Sequence, residues 1–105
     1  MEERTDLLPP NTPGATISNL EADQEIHDYL ESEMLKENPH LIIEKTIGNV
    51  KPDAYDLAKL IIYEIRPNNP EGIRLGNIKL NKCKKTLAKL TDTSEDDWTT
   101  QLLRY

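Results

Sequence analysis

Residues 52–66 read PDAYDLAKLIIYEIR, and this stretch predicts the centre of the fold. Its second half, residues 59–65, is apolar and rich in isoleucine, which is typical of a buried strand. Side chains in a strand alternate with a period of two, so Glu64 and Arg66 are expected to point to the same side. If the chain just before them forms the first strand of a hairpin, Asp53 lies opposite. Two carboxylates beside one cation are the smallest set that can hold Mg²⁺ against a phosphodiester.

The composition restricts the class of protein. The chain has 105 residues, 36% of them hydrophobic and none of them Phe, so we expect one domain with a modest core of Leu and Ile. A single cysteine, Cys83, argues against an internal disulfide framework and against a cysteine-rich zinc site. Only two histidines are present, His27 and His40, which argues against a multi-histidine metal site as well. No apolar run approaches the roughly 18 residues of a membrane span.

The charge is unevenly distributed along the chain. The formal net charge is −6. Residues 1–65 carry 5 Lys/Arg against 14 Asp/Glu, whereas residues 66–90 carry 7 against 1 and therefore have a net charge of +6. A confined basic block leaves nucleic acid open as a partner. A solvated, lysine-rich helix face explains the same charge equally well.

The periodicity predicts the element order α-β-β-β-α-β. An acidic amphipathic helix is expected first, then three strands, a second helix and a last strand, over residues 19–37, 40–47, 53–56, 59–66, 70–90 and 98–103. Asn69 and Pro70 have the residue types of an N-cap and a first helical residue. Gly76 lies on the apolar face of the second helix and would let it approach the sheet closely. We therefore predict an α/β (α+β) fold, with a mostly antiparallel sheet flanked by two helices.

The first 17 residues differ in composition from the rest. They contain Pro9, Pro10, Pro13 and Gly14 among polar residues, which is typical of a flexible leader or linker. The folded domain is therefore expected to span residues 18–105.

Glu64 is the residue of this chain that a structural role explains least easily. It interrupts an apolar strand, where desolvating a carboxylate costs several kcal/mol unless a partner or a metal compensates. An ion pair with Arg66, a solvent-facing position near the strand end and a metal site all remain open at this point.

The motifs resemble the restriction-endonuclease-like PD-(D/E)xK nuclease superfamily. The closer similarity is to the small toxin modules at the C-termini of bacterial polymorphic and Rhs-type toxins. Those modules read RPDxxD and then IIYELKPNNPxxIxxGxxQLxxY, and this chain has KPDAYD and then IIYEIRPNNPEGIRLGNIKLNKC. The run over residues 61–76 is the specific part, and the resemblance covers about residues 20–105.

The resemblance implies a nuclease site that depends on Mg²⁺ or Mn²⁺. It makes Asp53 and Glu64 metal ligands and catalytic residues, with Glu25 as an additional acid from the first helix. Arg66 stands where the family has a lysine. A guanidinium stays protonated near neutral pH and cannot act as a general base. Arg66 is therefore expected to clamp a phosphate instead. Lys79 stands at the glutamine of the QLxxY motif. It belongs to a stripe of lysines expected to bind phosphates, namely Lys79, Lys82, Lys85 and Lys89.

The resemblance also implies a biological setting. The expected substrate is DNA, cleaved with little sequence specificity because lysine contacts to the backbone carry no base information. The module is expected to be secreted or injected as part of a larger toxin, to act in the target-cell cytoplasm and to have a cognate immunity protein. An alternative is a catalytically degenerate module that keeps the fold and binds a protein partner. The acidic first two-thirds of the chain and the departures at Arg66 and in the QLxxY motif favour that alternative.

Overall fold

The computed structural model describes residues 2–4 and 20–105. Its elements are the strands β1 (Glu2–Arg4), β2 (Ile42–Ile43), β3 (Ala54–Asp56), β4 (Ile61–Arg66) and β5 (Thr99–Arg104), the helices α1 (Leu20–Glu37) and α2 (Pro70–Thr91), and a short 3-10 helix over Glu95–Asp97. The leader predicted for residues 1–17 lies outside the described residues, except for β1.

The sheet has five strands in the order β1-β5-β4-β3-β2. The pairings β2–β3 and β3–β4 are antiparallel, whereas β4–β5 and β1–β5 are parallel. The predicted α+β class and the order helix, three strands, helix, strand are confirmed for residues 20–105. The sheet is mixed rather than mostly antiparallel, because α2 carries the chain back along the sheet between β4 and β5, and such a crossover makes the two strands parallel.

The two helices cover opposite faces of the sheet. On the α1 face, the buried core consists of Ile26, Leu30, Ile65 and Leu103. On the α2 face, the larger core includes Tyr55, Ile62, Leu80, Cys83, Leu87, Trp98 and Leu102. Alternation along β4 thus directs Ile62 and Glu64 towards α2 and Ile65 towards α1. Neither α1 nor α2, the two α-helices of the described chain, is long and apolar enough to cross a membrane.

Helix α2 begins and packs as its sequence predicts. The Asn69 side chain caps it by accepting a hydrogen bond from the Gly72 N–H at 2.7 Å, and Pro70 occupies the first turn. A Cβ atom at Gly76 would lie 2.5 Å from Leu102 Cδ1 and 2.9 Å from Arg66 Cγ. A side chain at this position would therefore force Leu102 or Arg66 to move where α2 crosses the sheet.

The strand predicted over residues 40–47 is much shorter than expected. Only Ile42 and Ile43 pair with β3. Glu44 has φ of 50°, and this left-handed conformation ends the extended strand. The Glu44 N–H donates a hydrogen bond to the Asp53 carbonyl at 3.0 Å, so the segment after β2 stays next to the start of β3.

Candidate active site

Asp53 and Glu64 come together at one end of the β3–β4 hairpin. Ala54 pairs with Tyr63, and the same antiparallel register places Asp53 opposite Glu64. Asp53 Oδ2 accepts a hydrogen bond from the Ile65 N–H at 2.7 Å. The two acidic residues are 5% and 1% exposed. Two carboxylates therefore share a poorly solvated site, an arrangement that is costly without compensating charge.

Two cations reach one oxygen of Glu64. Arg66 Nε and Nη2 lie 3.0 Å and 2.9 Å from Glu64 Oε2, and Lys79 Nζ lies 3.2 Å from the same oxygen. Glu64 and Arg66 therefore point to the same side of β4, as predicted, and they form an ion pair. The other oxygen, Glu64 Oε1, is buried and has no hydrogen-bond partner among the described residues. The ion pair therefore provides partners for only one of the two oxygens of the Glu64 carboxylate.

An open cavity of about 490 Å³ surrounds these groups. Its lining includes both carboxylates, Arg66, Lys79, His27 of α1 and the first turn of α2. The volume falls within the range of small-molecule sites. The side chains of Arg66 and Lys79 are 29% and 32% exposed, so a ligand in the cavity can contact both cations.

A second group of ligating side chains adjoins Asp53. His27, Glu31, Glu44 and Asp53 each offer one ligand atom, and these four atoms lie within 4.8 Å of one another. His27 Nδ1 is 3.7 Å from Asp53 Oδ1. His27, Glu31 and Glu44 are not among the site residues that the sequence motifs predict. The sequence of α1 does contain a pattern that could have identified two of them. Residues that can bind a metal recur every four positions beside the apolar face of the helix, at Asp23, His27 and Glu31.

The structure places the other predicted site residues apart from this centre. Glu25 is exposed on α1, and His27 and Glu31 occupy the position beside Asp53 that was expected for it. The exposed residues Lys82, Lys85 and Lys89 lie further along α2 than Lys79, outside the lining of the described cavity. Their expected role in binding phosphates stays a prediction.

Burial shifts the pKa values of the site residues. Burial, reinforced by the charge of Glu64, raises the pKa of Asp53 to about 8. Burial and the neighbouring Glu44 raise the pKa of Glu31 to about 9. Burial also lowers the pKa of His27 from 6.5, so its imidazole is neutral, which is the form that binds metals. Crowded carboxyl groups, a neutral imidazole and the buried free oxygen of Glu64 fit a divalent cation.

This combination of fold and site defines a restriction endonuclease fold protein: a mixed sheet between two helices, with paired carboxylates at the end of a central hairpin. The chain belongs to the family of restriction endonuclease fold toxin 9 (Tox-REase-9), whose model matches residues 16–105. The resemblance to toxin nuclease modules of the PD-(D/E)xK type is thereby confirmed. No curated protein and no solved structure matches the chain.

Proposed function

We propose that this toxin module hydrolyses phosphodiester bonds of DNA, with Mg²⁺ or Mn²⁺ held by Asp53 and Glu64. The observation that carries the proposal is Glu64 Oε1, a buried oxygen without a hydrogen-bond partner in the described chain. Such an oxygen costs about 1–3 kcal/mol. A hard divalent cation, which prefers oxygen ligands, removes that cost.

The residues around the carboxylates have complementary roles. A divalent cation bound there supplies Lewis-acid stabilisation of the phosphate and activates a water molecule. The Arg66 guanidinium can donate two hydrogen bonds to phosphate oxygens, and the Lys79 ammonium adds a second positive charge from α2. Both cations already contact Glu64 Oε2, so their positions relative to the metal ligands are set before substrate binds.

The basic surface of α2 supports a polyanionic substrate. Lys82, Lys85 and Lys89 recur at helical spacing and are exposed. Contacts from such lysines to phosphates provide affinity without reading the bases, so we propose cleavage with little sequence specificity. DNA is the proposed substrate. Each cleavage assay should therefore include RNA, so that the rates on the two nucleic acids can be compared.

The toxin family supports the biological setting of the proposal. We propose that the module is delivered as part of a larger toxin, acts in the target-cell cytoplasm and is inhibited by a cognate immunity protein in the producing cell. Inducible expression in a bacterial cytoplasm is then expected to arrest growth and degrade chromosomal DNA. Glu64→Gln is expected to relieve both effects.

A plasmid-nicking assay tests the chemistry. Purified protein with Mg²⁺ or Mn²⁺ is expected to nick supercoiled DNA, and EDTA should stop the reaction. Asp53→Asn and Glu64→Gln should each reduce nicking below detection, since each removes the negative charge of a metal ligand at nearly constant side-chain volume. Glu37→Gln, an exposed substitution on α1, is the matched control. Unchanged nicking in the two site variants would contradict the assignment.

Calorimetry separates the enzyme from the non-catalytic alternative. A nuclease site should bind Mn²⁺ and lose part of that binding in Glu64→Gln. A folded chain that neither binds metal nor cleaves DNA or RNA would instead indicate a degenerate module that binds a protein partner.

A further inference from the structure

We propose that bound DNA is held on one side of the cleaved bond only. The phosphates on that side lie along helix α2 and pair with its lysines, whereas those on the other side pass an acidic edge of the cavity. This direction rests on the proposed nuclease function, and it follows from the charges at the two ends of the cavity.

One end of the cavity is acidic. Glu71 in the first turn of α2 and Asp23 of α1 both line it. The Tyr105 hydroxyl donates a hydrogen bond to Asp23 Oδ1 at 2.7 Å, and the Tyr105 carbonyl accepts one from the Asn68 N–H at 2.7 Å. These two contacts hold Asp23 next to the segment that leads into α2, so the two carboxylates border the same end of the cavity.

The start of helix α2 does not compensate for these carboxylates. The Gly72 N–H already donates to the Asn69 side chain at 2.7 Å. Arg74 Nη2 and Nε lie 2.6 Å and 3.1 Å from the two carboxylate oxygens of Glu71, so a bidentate ion pair neutralises the cation of this turn. The Glu71 carboxylate also offsets the partial positive charge of the helix N-terminus. A phosphate that leaves the cavity on this side therefore meets Glu71 and Asp23.

The other end of the cavity is basic and continues along α2. Lys79 lines the cavity, and Lys82, Lys85 and Lys89 follow it at intervals of three, three and four residues. This spacing keeps successive side chains on neighbouring parts of a helix surface. In the part of the chain whose side chains are described, none of the last three lysines forms an ion pair, and all three are exposed. They are therefore available to a polyanion.

The length of this basic surface corresponds to several nucleotides. Lys89 lies ten residues beyond Lys79, which is roughly 15 Å along a helix axis. Phosphates of one DNA strand are spaced about 3.4 Å apart along the duplex axis, so the surface spans about four base pairs. With the cleaved phosphate at Arg66 and Lys79, the lysines beyond Lys79 contact the phosphates on one side of it.

A half-neutral DNA duplex tests this direction. One half carries ordinary phosphodiesters in both strands, and the other half carries uncharged methylphosphonates in both. A self-complementary sequence across the boundary gives the two strands the same local bases. At the last phosphodiester before the boundary, one strand has its charged phosphates on the 5′ side, and the other strand has them on the 3′ side.

The two strands are labelled separately and cleaved by the full chain with Mg²⁺, at DNA concentrations below saturation. One strand should be cut at its last phosphodiester as fast as in an all-phosphodiester duplex. The other strand should be cut there at least about tenfold more slowly, because its charged phosphates extend past the acidic end of the cavity.

Two triple variants separate the α2 surface from the net charge of the chain. The first carries Lys82→Gln, Lys85→Gln and Lys89→Gln. The second removes the same charge at three exposed lysines outside α2, with Lys36→Gln, Lys45→Gln and Lys59→Gln. The first variant should bring the two strands within about threefold of each other, since the faster strand loses its contacts. The second should keep the difference between the strands. Circular dichroism establishes that both variants are folded.

Equal cleavage of the two strands by the wild-type chain overturns the proposed direction. An unchanged difference between the strands in the first triple variant overturns it as well. A wild-type chain that does not cleave the all-phosphodiester duplex refutes the nuclease function, and the direction falls with it. Cleavage of that duplex together with equal cleavage of the two half-neutral strands refutes the direction alone.

Discussion

Lys79 Nζ lies 3.2 Å from Glu64 Oε2, so helix α2 supplies a second cation to the carboxylate that already pairs with Arg66 on β4. In the toxin modules that this chain resembles, a lysine stands at the position of Arg66 and a glutamine at the position of Lys79. The close packing at Gly76 brings α2 near enough for Lys79 to reach Glu64. The two residues that differ from the family motif, Arg66 and Lys79, therefore contact the same oxygen atom, Glu64 Oε2.

Replacing either cation should lower the rate of DNA cleavage. For Arg66→Met and Lys79→Met we expect kcat to fall by about 10²-fold each, since each variant removes one positive charge from the developing charge on the phosphate. The variants should stay folded, because the remaining cation still pairs with Glu64. Initial nicking rates at saturating DNA measure the effect.

Lys82→Met is the matched control for Lys79→Met. It removes the same charge three residues further along α2, outside the lining of the described cavity, and kcat should change by less than about threefold. Arg66→Lys restores the motif of the family and should retain activity. Equal kcat values for Lys79→Met and the wild type would show that Lys79 does not take part in catalysis.

The exposed lysines of α2 should control the salt dependence of DNA binding. Each phosphate contact contributes about 0.9 to the slope of log affinity against log salt. Replacing Lys82, Lys85 and Lys89 by Gln should therefore reduce the slope by up to about 3, with little change in sequence preference. Fluorescence anisotropy on the Glu64→Gln background measures binding without cleavage. Lys36→Gln removes an exposed charge on α1, and an equal loss of slope there would contradict the assignment.

Gly76→Ala should destabilise the domain. Alanine gains up to about 1 kcal/mol of helix propensity, but its Cβ would lie 2.5 Å from Leu102 Cδ1. Overpacking of this kind costs about 1–3 kcal/mol. We expect a net loss of up to about 2 kcal/mol in the free energy of unfolding, measured by urea denaturation. Asn81→Ala, on the exposed side of the same helix, should be neutral or slightly stabilising.

Asp56 should make stability depend on pH at the acidic end. Its Oδ1 accepts hydrogen bonds from the N–H groups of Ala58 and Lys59 at 2.8 and 2.9 Å. Its Oδ2 accepts one from Asn38 Nδ2 at 2.7 Å. The backbone N–H of Lys59, together with the other donors, holds the pKa of Asp56 below 3.8 in the folded state. The stabilisation is therefore present above the unfolded-state pKa of about 4 and is lost as the pH falls through the folded-state pKa.

Asp56→Ala should lower the free energy of unfolding by about 2–3 kcal/mol at pH 7. The difference from the wild type should shrink as the pH falls below about 4. Asp28→Ala, an exposed substitution on α1, should show neither effect. A difference between Asp56→Ala and the wild type that is constant from pH 7 to pH 3 would contradict the role of the charge.

Local signals in the sequence predicted much of the fold. The helical periodicity placed α1 at residues 19–37 against the observed Leu20–Glu37, and the Asn69-Pro70 cap placed the start of α2. The alternation in β4 placed Glu64 and Arg66 on one side. These features depend on neighbours within a few residues, so they can be read without tertiary structure. The prediction of a strand over residues 40–47 was wrong in its length. The strand ends at Glu44, whose left-handed backbone conformation has no strong signal in the local sequence.

The sequence by itself determined the family, the order of the elements within residues 20–105 and the paired carboxylates Asp53 and Glu64, because motif spacing and short-range periodicity encode them. Only the tertiary structure decided which acid of α1 meets Asp53. Several residues of that helix carry carboxylates. Ile26 and Leu30 pack on the sheet, and this packing orients the helix. As a result His27 and Glu31 face Asp53, whereas Glu25 stays exposed. The structure likewise decided that Lys79 reaches Glu64, since that contact depends on how closely α2 approaches β4.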